Sequence, residues 1–152
     1  MVIVGLSGFA GSGKDAVGDV LVHDYGFTRR AFADKLKRIA WDLGWSGNKD
    51  EVGRRFLQDL GVACRGLDPD YWVRPVLLDL PSKLVITDVR FQNDAIAITR
   101  AGGLVIWIER PGVEAVNQHV SEHDLAEWNF DGAIINDGTL ADLANKVGTV
   151  FG

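Results

Sequence analysis

This sequence holds little that would support chemistry built on sulfur, on long apolar spans or on bulk positive charge. There is one cysteine, Cys64, among 152 residues. It has no internal disulfide partner, which favours a reducing compartment. No apolar run reaches the ~18 residues that a membrane-spanning helix needs, so no membrane association is expected. The start, MVIVGLSG, lacks the basic n-region of a secretory signal. Sixteen Lys and Arg stand against 21 Asp and Glu, a net charge of −5 with a pI of about 5.1. That balance argues against nucleic acid or an anionic surface as a partner. A phosphate ligand must then be captured by local cations and backbone N–H groups. Internal repeats, low-complexity tracts and long linkers are also missing.

What is present is apolar and aromatic. Hydrophobic residues make up 47% of the chain, with five Trp and seven Phe. Such a chain is long and apolar enough to bury one core, so a single domain over residues 1–152 is expected. The tryptophans also leave room for an aromatic homodimer patch. Short apolar runs at Val2–Leu6, Leu84–Thr87, Leu104–Glu109 and Ala133–Ile135 read as buried strands, with a further short strand at Phe27–Phe32. Helical periodicity fills Lys14–Tyr25, Lys35–Leu43, Glu51–Leu60, Asn93–Ala101 and Thr139–Val150. Gly61 reads as a helix stop, Asp34 as an N-cap, and Asp68-Pro69 as the opening of a helix to about Leu80. Ser121–Trp128 is a candidate short helix. Strands alternating with helices predict a five-stranded parallel sheet covered on both faces.

The stretch Gly8–Asp15, GFAGSGKD, fits the phosphate-loop pattern G-x-x-x-x-G-K-[ST] at every position but the last. It joins a strand to a helix, which is the context the motif requires. Backbone N–H groups from Gly11 through Ser12 and Gly13 to Lys14, with the helix start at Ala16 behind them, can wrap a phosphate. Lys14 would bridge the β- and γ-phosphates of a nucleotide. Asp15 stands where a metal-binding hydroxyl is usual. It suits Mg²⁺, directly or through water, and equally suits the positive end of a helix.

Other polar residues fall at strand ends, where ligands of parallel sheets bind. Asp88 follows LVIT and would hold the metal or its waters; Arg90, two residues later, would clamp a phosphate or pair with Asp88. Asp34 and Arg38 face an acceptor substrate or form a cap with a solvated face. Arg65 suits a monophosphate. Tyr71 and Trp72 flank a base or, as aromatics so placed more often do, fill a core. Arg110 lies past a strand end, in reach of transferring phosphates. Residues 110–128 read as a lid in which Arg110 is the one Lys or Arg. His119 and His123 are spaced i, i+4, but without a Cys partner or an H-E-x-x-H pattern they do not read as a zinc site. Asn136 and Gly138, in Asn136–Thr139, make a turn and cap or contact a base.

Taken together, GFAGSGKD, FADKLK, LGVACRGLDPDYWV, ITDVRFQNDAIAI, GGLVIWIERPG and FDGAIINDGTLADL resemble the bacteriophage deoxynucleoside monophosphate kinases, of the phosphate-loop nucleoside monophosphate kinase group. The resemblance spans nearly the whole chain. It implies a three-layer α/β P-loop kinase fold with a substrate-side helical region at about 34–80 and a closing lid. It also implies transfer of a phosphoryl group from ATP to a deoxynucleoside monophosphate, with Mg²⁺, in the cytoplasm of a host. Lys14 would then stabilise the transferring group. Arg65 and Arg90 would be phosphate clamps, Asp34 would sit on the acceptor side, and Arg110 would belong to the lid. Kinases acting on dephospho-coenzyme A or phosphomevalonate share such loops. A nucleotide-sensing module that transfers nothing is the alternative outside enzymes.

Overall fold

The computed structural model describes residues 1–114 and 124–152. A five-stranded parallel sheet runs in the order β2-β3-β1-β4-β5. Its strands are β1 (Val2–Ser7), β2 (Thr28–Arg30), β3 (Lys83–Ile86), β4 (Leu104–Glu109) and β5 (Gly132–Ile135). Helices α1 (Lys14–Tyr25), α5 (Gln92–Arg100) and α6 (Leu140–Phe151) belong to the same unit. A second unit, Ala31–Asp79, holds α2 (Ala33–Asp42), α3 (Glu51–Leu67) and α4 (Val73–Val76).

Central strand β1 explains the layering. Alternate residues of a strand point to opposite faces, and here both faces are covered, as parallel sheets require. Val4 and Leu6, both 0% exposed, join Val17 and Leu21 of α1 and Leu143 and Val147 of α6 in one core. On the other face a Cβ at Gly5 would lie 2.6 Å from the Ile98 side chain and 2.8 Å from that of Val89. The missing side chain therefore lets α5 approach the sheet. Three layers result, with α1 and α6 on one face and α5 on the other.

The helical unit departs from the sequence expectations at several points. Helix α3 runs through Gly61 to Leu67. One interior glycine costs only ~1 kcal/mol, and the Asp50 carboxylate caps the helix by accepting from Gly53 N at 2.8 Å. The helix expected over 69–80 shrinks to the four residues of α4, with turns before it and a bent stretch after it. Pro75 lacks the N–H that would bond Tyr71 O, so the turn cannot extend back into one helix from residue 69. Helix α2 starts at Ala33 with Phe32 in the cap position, so Asp34 is not the N-cap. Its carboxylate instead reaches back to accept from Ala31 N at 3.1 Å. Strand β2 covers only Thr28–Arg30 of the expected Phe27–Phe32. Of the candidate helix at Ser121–Trp128, residues up to 123 lie outside the described ones, and 124–127 form turns.

Leu21, 0% exposed between α1 and the sheet, tests the core that supports the loop. Leu21→Ala should destabilise the fold by ~2–5 kcal/mol, read as a lowered urea midpoint at unchanged m-value. A shift below ~1 kcal/mol would mean that the site collapses without a cavity.

Candidate phosphate-binding site

The carboxyl ends of the parallel strands share one edge of the sheet. That edge carries the Gly8–Lys14 loop after β1, Asp88 and Arg90 after β3, Arg110 after β4 and Asn136 after β5. The chain thus brings Lys14, Asp15, Asp88, Arg90, Arg110 and Asn136 to one edge, although the last two lie about 100 residues beyond the loop.

The loop is held by its carbonyl groups. Phe9 O accepts from Ser12 N at 3.0 Å, and Gly13 O from Val17 N at 3.0 Å. Ser12 O accepts from Asn136 Nδ2 at 3.0 Å, and Gly11 O from Arg110 Nη1 at 3.3 Å. A trans peptide points its C=O and N–H in opposite directions. Fixing the carbonyl of Ser12 therefore aims the N–H of Gly13 the other way, beside the N–H groups of the first turn of α1. Gly13 has φ 106°, and a Cβ there would lie 2.5 Å from Asn136 Nδ2, so both the backbone and the clamp demand glycine. At Gly8 a Cβ would meet Ile108 O and Ser12 Oγ, both at 2.6 Å.

Two side chains of the loop point to an anion. Ser12 is 2% exposed, and among the described residues its hydroxyl is the buried polar group without a hydrogen-bond partner. Buried hydroxyls are normally satisfied. Lys14 turns its ammonium back over the loop, donating to Gly8 O at 2.5 Å and Phe9 O at 3.1 Å. Together with the helix N-terminus, these groups make a cradle that fits a phosphate. Asp15 lies at the start of α1, exposed, with its carboxylate 3.4 Å from Arg29 Nη2. Arg29 did not stand out in the sequence, where nothing links an edge strand to the loop.

Beside the loop lies a recess of about 620 Å³, among whose walls are Phe9, Val89, Arg90, Trp107, Leu125 and Phe130. Trp107 organises it, meeting Phe9 edge-on at 5.3 Å and Phe130 at 5.2 Å. Its indole N–H donates to Glu109 Oε2 at 2.5 Å. This cluster props the outer arm of the loop and was not apparent in the sequence, since its members are 98 and 23 residues apart in the chain.

Asn136 also begins the turn into α6. Its own N–H donates to Glu109 O at 2.7 Å. The Lys146 ammonium holds the Asp137 carboxyl below the usual range, and the Thr139 amide and hydroxyl do the same for Asp142. Gly138 sits against that Asp142 carboxylate. Asp142 and Thr139 cap α6 reciprocally, so this turn is a fixed mount for Asn136.

In the helical unit, Arg65 falls in the last turn of α3, half-buried, and not in a loop; Arg38 and Asp34 are exposed on α2. Tyr71 is half-buried with the Lys35 ammonium 4.6 Å from its ring centroid. Trp72 is 3% exposed and donates its indole N–H to Gly61 O at 3.1 Å. It is a packing residue of this unit and presents no open face to a base. The Asp70 amide, and then Arg74, hold the Asp68 carboxyl low and tie the turn that carries both aromatics. His119 and His123 lie outside the described residues, as does the middle of the segment read as a lid.

Residues 42–147 match the family model of deoxynucleotide monophosphate kinase. A protein of Acanthamoeba polyphaga mimivirus named for that activity is 29% identical over 97% of this chain and 94% of its own length. The deoxynucleotide monophosphate kinase of Enterobacteria phage T4 is 31% identical over 62% of this chain, a stretch that makes up 43% of that protein. Among solved structures, dephospho-CoA kinase from Campylobacter jejuni matches with a TM-score of 0.53 over 99% of this chain and 96% of that one. At 14% identity, that is a likeness of fold alone.

The Asn136–Ser12 bond gives a direct test of the cradle. Asn136→Ala should weaken binding of inorganic tripolyphosphate about 2- to 10-fold, the worth of one net hydrogen bond, in isothermal titration at unchanged thermal stability. Unchanged affinity would show that the loop holds its shape without this clamp.

Proposed function

Because the chain belongs to the deoxynucleotide monophosphate kinase family, we propose that it transfers the γ-phosphoryl group of ATP to the phosphate of a deoxynucleoside monophosphate. The observation that carries this is the cradle. A half-satisfied loop with a buried unpaired hydroxyl and an inward lysine shares its sheet edge with Arg90 and Arg110. A phosphate acceptor explains why cations other than the loop lysine gather there.

The chemistry asks little covalent help from the protein. An oxygen of the acceptor phosphate attacks the γ-phosphorus, the bond to the β,γ-bridging oxygen breaks, and ADP leaves with that electron pair. The acceptor is already ionised near neutral pH, so no general base is required. Position and charge neutralisation suffice. The N–H groups of Gly11, Gly13 and Lys14, with Ala16 behind them at the helix start, hold the donor phosphates, while Ser12 N–H stays on Phe9 O. Lys14 moves from the carbonyls of Gly8 and Phe9 to the transferring oxygens. Arg110, now resting on Gly11 O, exchanges that carbonyl for phosphate charge. Arg90 clamps a phosphate, with Asn136 and Gly138 at the donor base; within the helical unit, Arg65, Asp34, Arg38 and Tyr71 are the proposed acceptor-binding residues.

Mg²⁺ would be held by Asp15 and Asp88, and it would neutralise charge on the phosphates. Hard carboxylate oxygens suit that ion. Among the described residues no group of three His, Cys, Asp or Glu surrounds one point. Sparse protein ligation fits a metal that keeps its waters and binds largely through phosphates. Asp15 would exchange its Arg29 contact to take part. Among the described residues no helix is long and apolar enough to cross a membrane. The cytoplasm of a host cell, where deoxynucleotides are made, is the fitting location. Trp41 and Leu43, both exposed, offer apolar surface for a homodimer.

A coupled ADP-release assay with Mg-ATP and dTMP, dGMP, dCMP, dAMP, dephospho-coenzyme A or no acceptor tests the proposal. Release stimulated by at least one deoxynucleotide is expected; release with dephospho-coenzyme A alone would overturn the acceptor class. Lys14→Ala should lower kcat by roughly 10²–10³-fold in a folded protein, and full turnover would remove Lys14 from the reaction. Arg65→Ala should raise KM for the monophosphate about 10- to 100-fold while sparing KM for ATP. A selective ATP defect would move Arg65 to the donor side.

A further inference from the structure

We infer that Asp94 and Asp124 are positioning residues for Arg90, an inference that rests on the proposed role of Arg90 as a phosphate clamp. Asp94 is 1% exposed, one of the few buried polar side chains of the protein. The transfer chemistry has no use for it. Its Oδ2 accepts from Arg90 N at 3.2 Å and from Phe91 N at 3.0 Å. Asp124 comes from the far side of the 110–128 segment, 32 residues beyond Gln92. Its Oδ2 accepts from Gln92 N at 2.8 Å, and its carbonyl accepts from Gln92 Nε2 at 3.2 Å.

Three consecutive N–H groups at the start of α5 are thus taken by two carboxylates of the protein itself. A helix N-terminus with its N–H groups open attracts anions; here Gln92 N, at the first helical position, and the two N–H groups before it are taken by carboxylates of the protein. Two consequences follow. First, the backbone from Arg90 to Gln92 cannot rotate without breaking charge-assisted hydrogen bonds, each stronger than a neutral one. The Cα–Cβ direction of Arg90 is therefore fixed while its long side chain stays exposed. Val89 N, bonded to Leu6 O at 3.1 Å, pins the preceding residue to β1. Second, substrate phosphate at this edge meets the Arg90 guanidinium and the loop after β1, with no competing site at the start of α5. Asp124 adds a link that Asp94 alone does not give. It ties the returning limb of the 110–128 segment, anchored next door by buried Leu125, to the turn that carries the clamp.

The spacing of Phe91 and Asp94 is that of a capping box, in which the third residue of the helix reaches back to the cap N–H. A cap alone would predict loss of stability and nothing selective. A positioning role predicts coupling to Arg90, and the two are separable.

The experiment is a double-mutant cycle on deoxynucleotide-stimulated ADP release, with amide exchange of residues 90–92 measured alongside. Asp124→Ala should raise KM for the monophosphate about 5-fold or more with KM for ATP unchanged, and should speed exchange at Gln92. Asp124→Asn, which keeps an acceptor oxygen, should restore both to within about 2-fold. In an Arg90→Ala background the same Asp124→Ala change should cost less than about 2-fold, because the group it positions is gone. Equal losses in both backgrounds would overturn the inference and leave Asp124 a structural cap. Asp94→Asn gives the second pair of the cycle, with the same expected loss of effect when Arg90 is absent. If Asp94→Asn does not fold, the cycle on half-buried Asp124 decides. Unchanged kinetics in Arg90→Ala alone would overturn the clamp itself. Faster exchange at residues 90–92 in Asp124→Ala would then still report the tether, so the two failures are distinguishable.

Discussion

A phosphate loop works only if most of its N–H groups face the ligand, and that arrangement is unstable by itself; in this loop Ser12 N turns inward, to Phe9 O. Peptides turn to satisfy both ends. This chain prevents the turn by occupying the carbonyl ends. Phe9 O and Gly13 O are taken locally, while Gly11 O and Ser12 O are taken by Arg110 and Asn136 from the ends of β4 and β5. The sheet order puts those strand ends beside the loop, because β4 pairs directly with β1 and β5 with β4. The parallel sheet, the glycine at position 13 and the asparagine at 136 are therefore one device. A different strand order would leave Ser12 O without its clamp.

The parts of this device that were legible in the sequence are those with local causes. Apolar runs placed β1, β3 and β4, and the glycine spacing placed the loop between a strand and a helix. The positions of Lys14, Arg90 and Arg110 on one edge followed from each standing just past a strand. Errors arose where one residue was given too much authority. Gly61 does not stop α3, because the amphipathic pattern and the Asp50 cap outweigh ~1 kcal/mol of glycine cost. Asp34 does not begin α2: it stands two residues past the cap position, and its carboxylate accepts from Ala31 N behind the helix instead of from the N–H groups ahead of it. Trp72 reads more readily as core than as a platform from its neighbours alone, and its bond to Gly61 O, 11 residues back, fixes it there.

What stayed hidden were the contacts that cross the chain. Asn136 meets Ser12 over 124 residues, and Asp124 meets Gln92 over 32. Sequence spacing carries no trace of such pairs without the topology that creates them. Asp94 is the intermediate case. Its offset of three from Phe91 is a local signal of helix capping, visible once α5 is known to start at Gln92.

The electrostatics of this edge show why an acidic protein can still gather phosphates. The net charge of −5 gives no long-range pull, so the field that matters is made within a few residues. Helices α1, α5 and α6 begin here, and each offers a partial positive charge; at α6 the Asp142 carboxylate and the Thr139 hydroxyl already meet it. At α5 that charge is already consumed by Asp94 and Asp124. At α1 the corresponding place holds glycine, a buried hydroxyl and a lysine, and the nearest carboxylate, Asp15, is drawn toward Arg29. Like helix ends on one edge would compete for the same polyphosphate. Filling those of α5 and α6 from within and leaving that of α1 open gives the ligand a single anchor, with Arg90 held at a fixed distance along the edge.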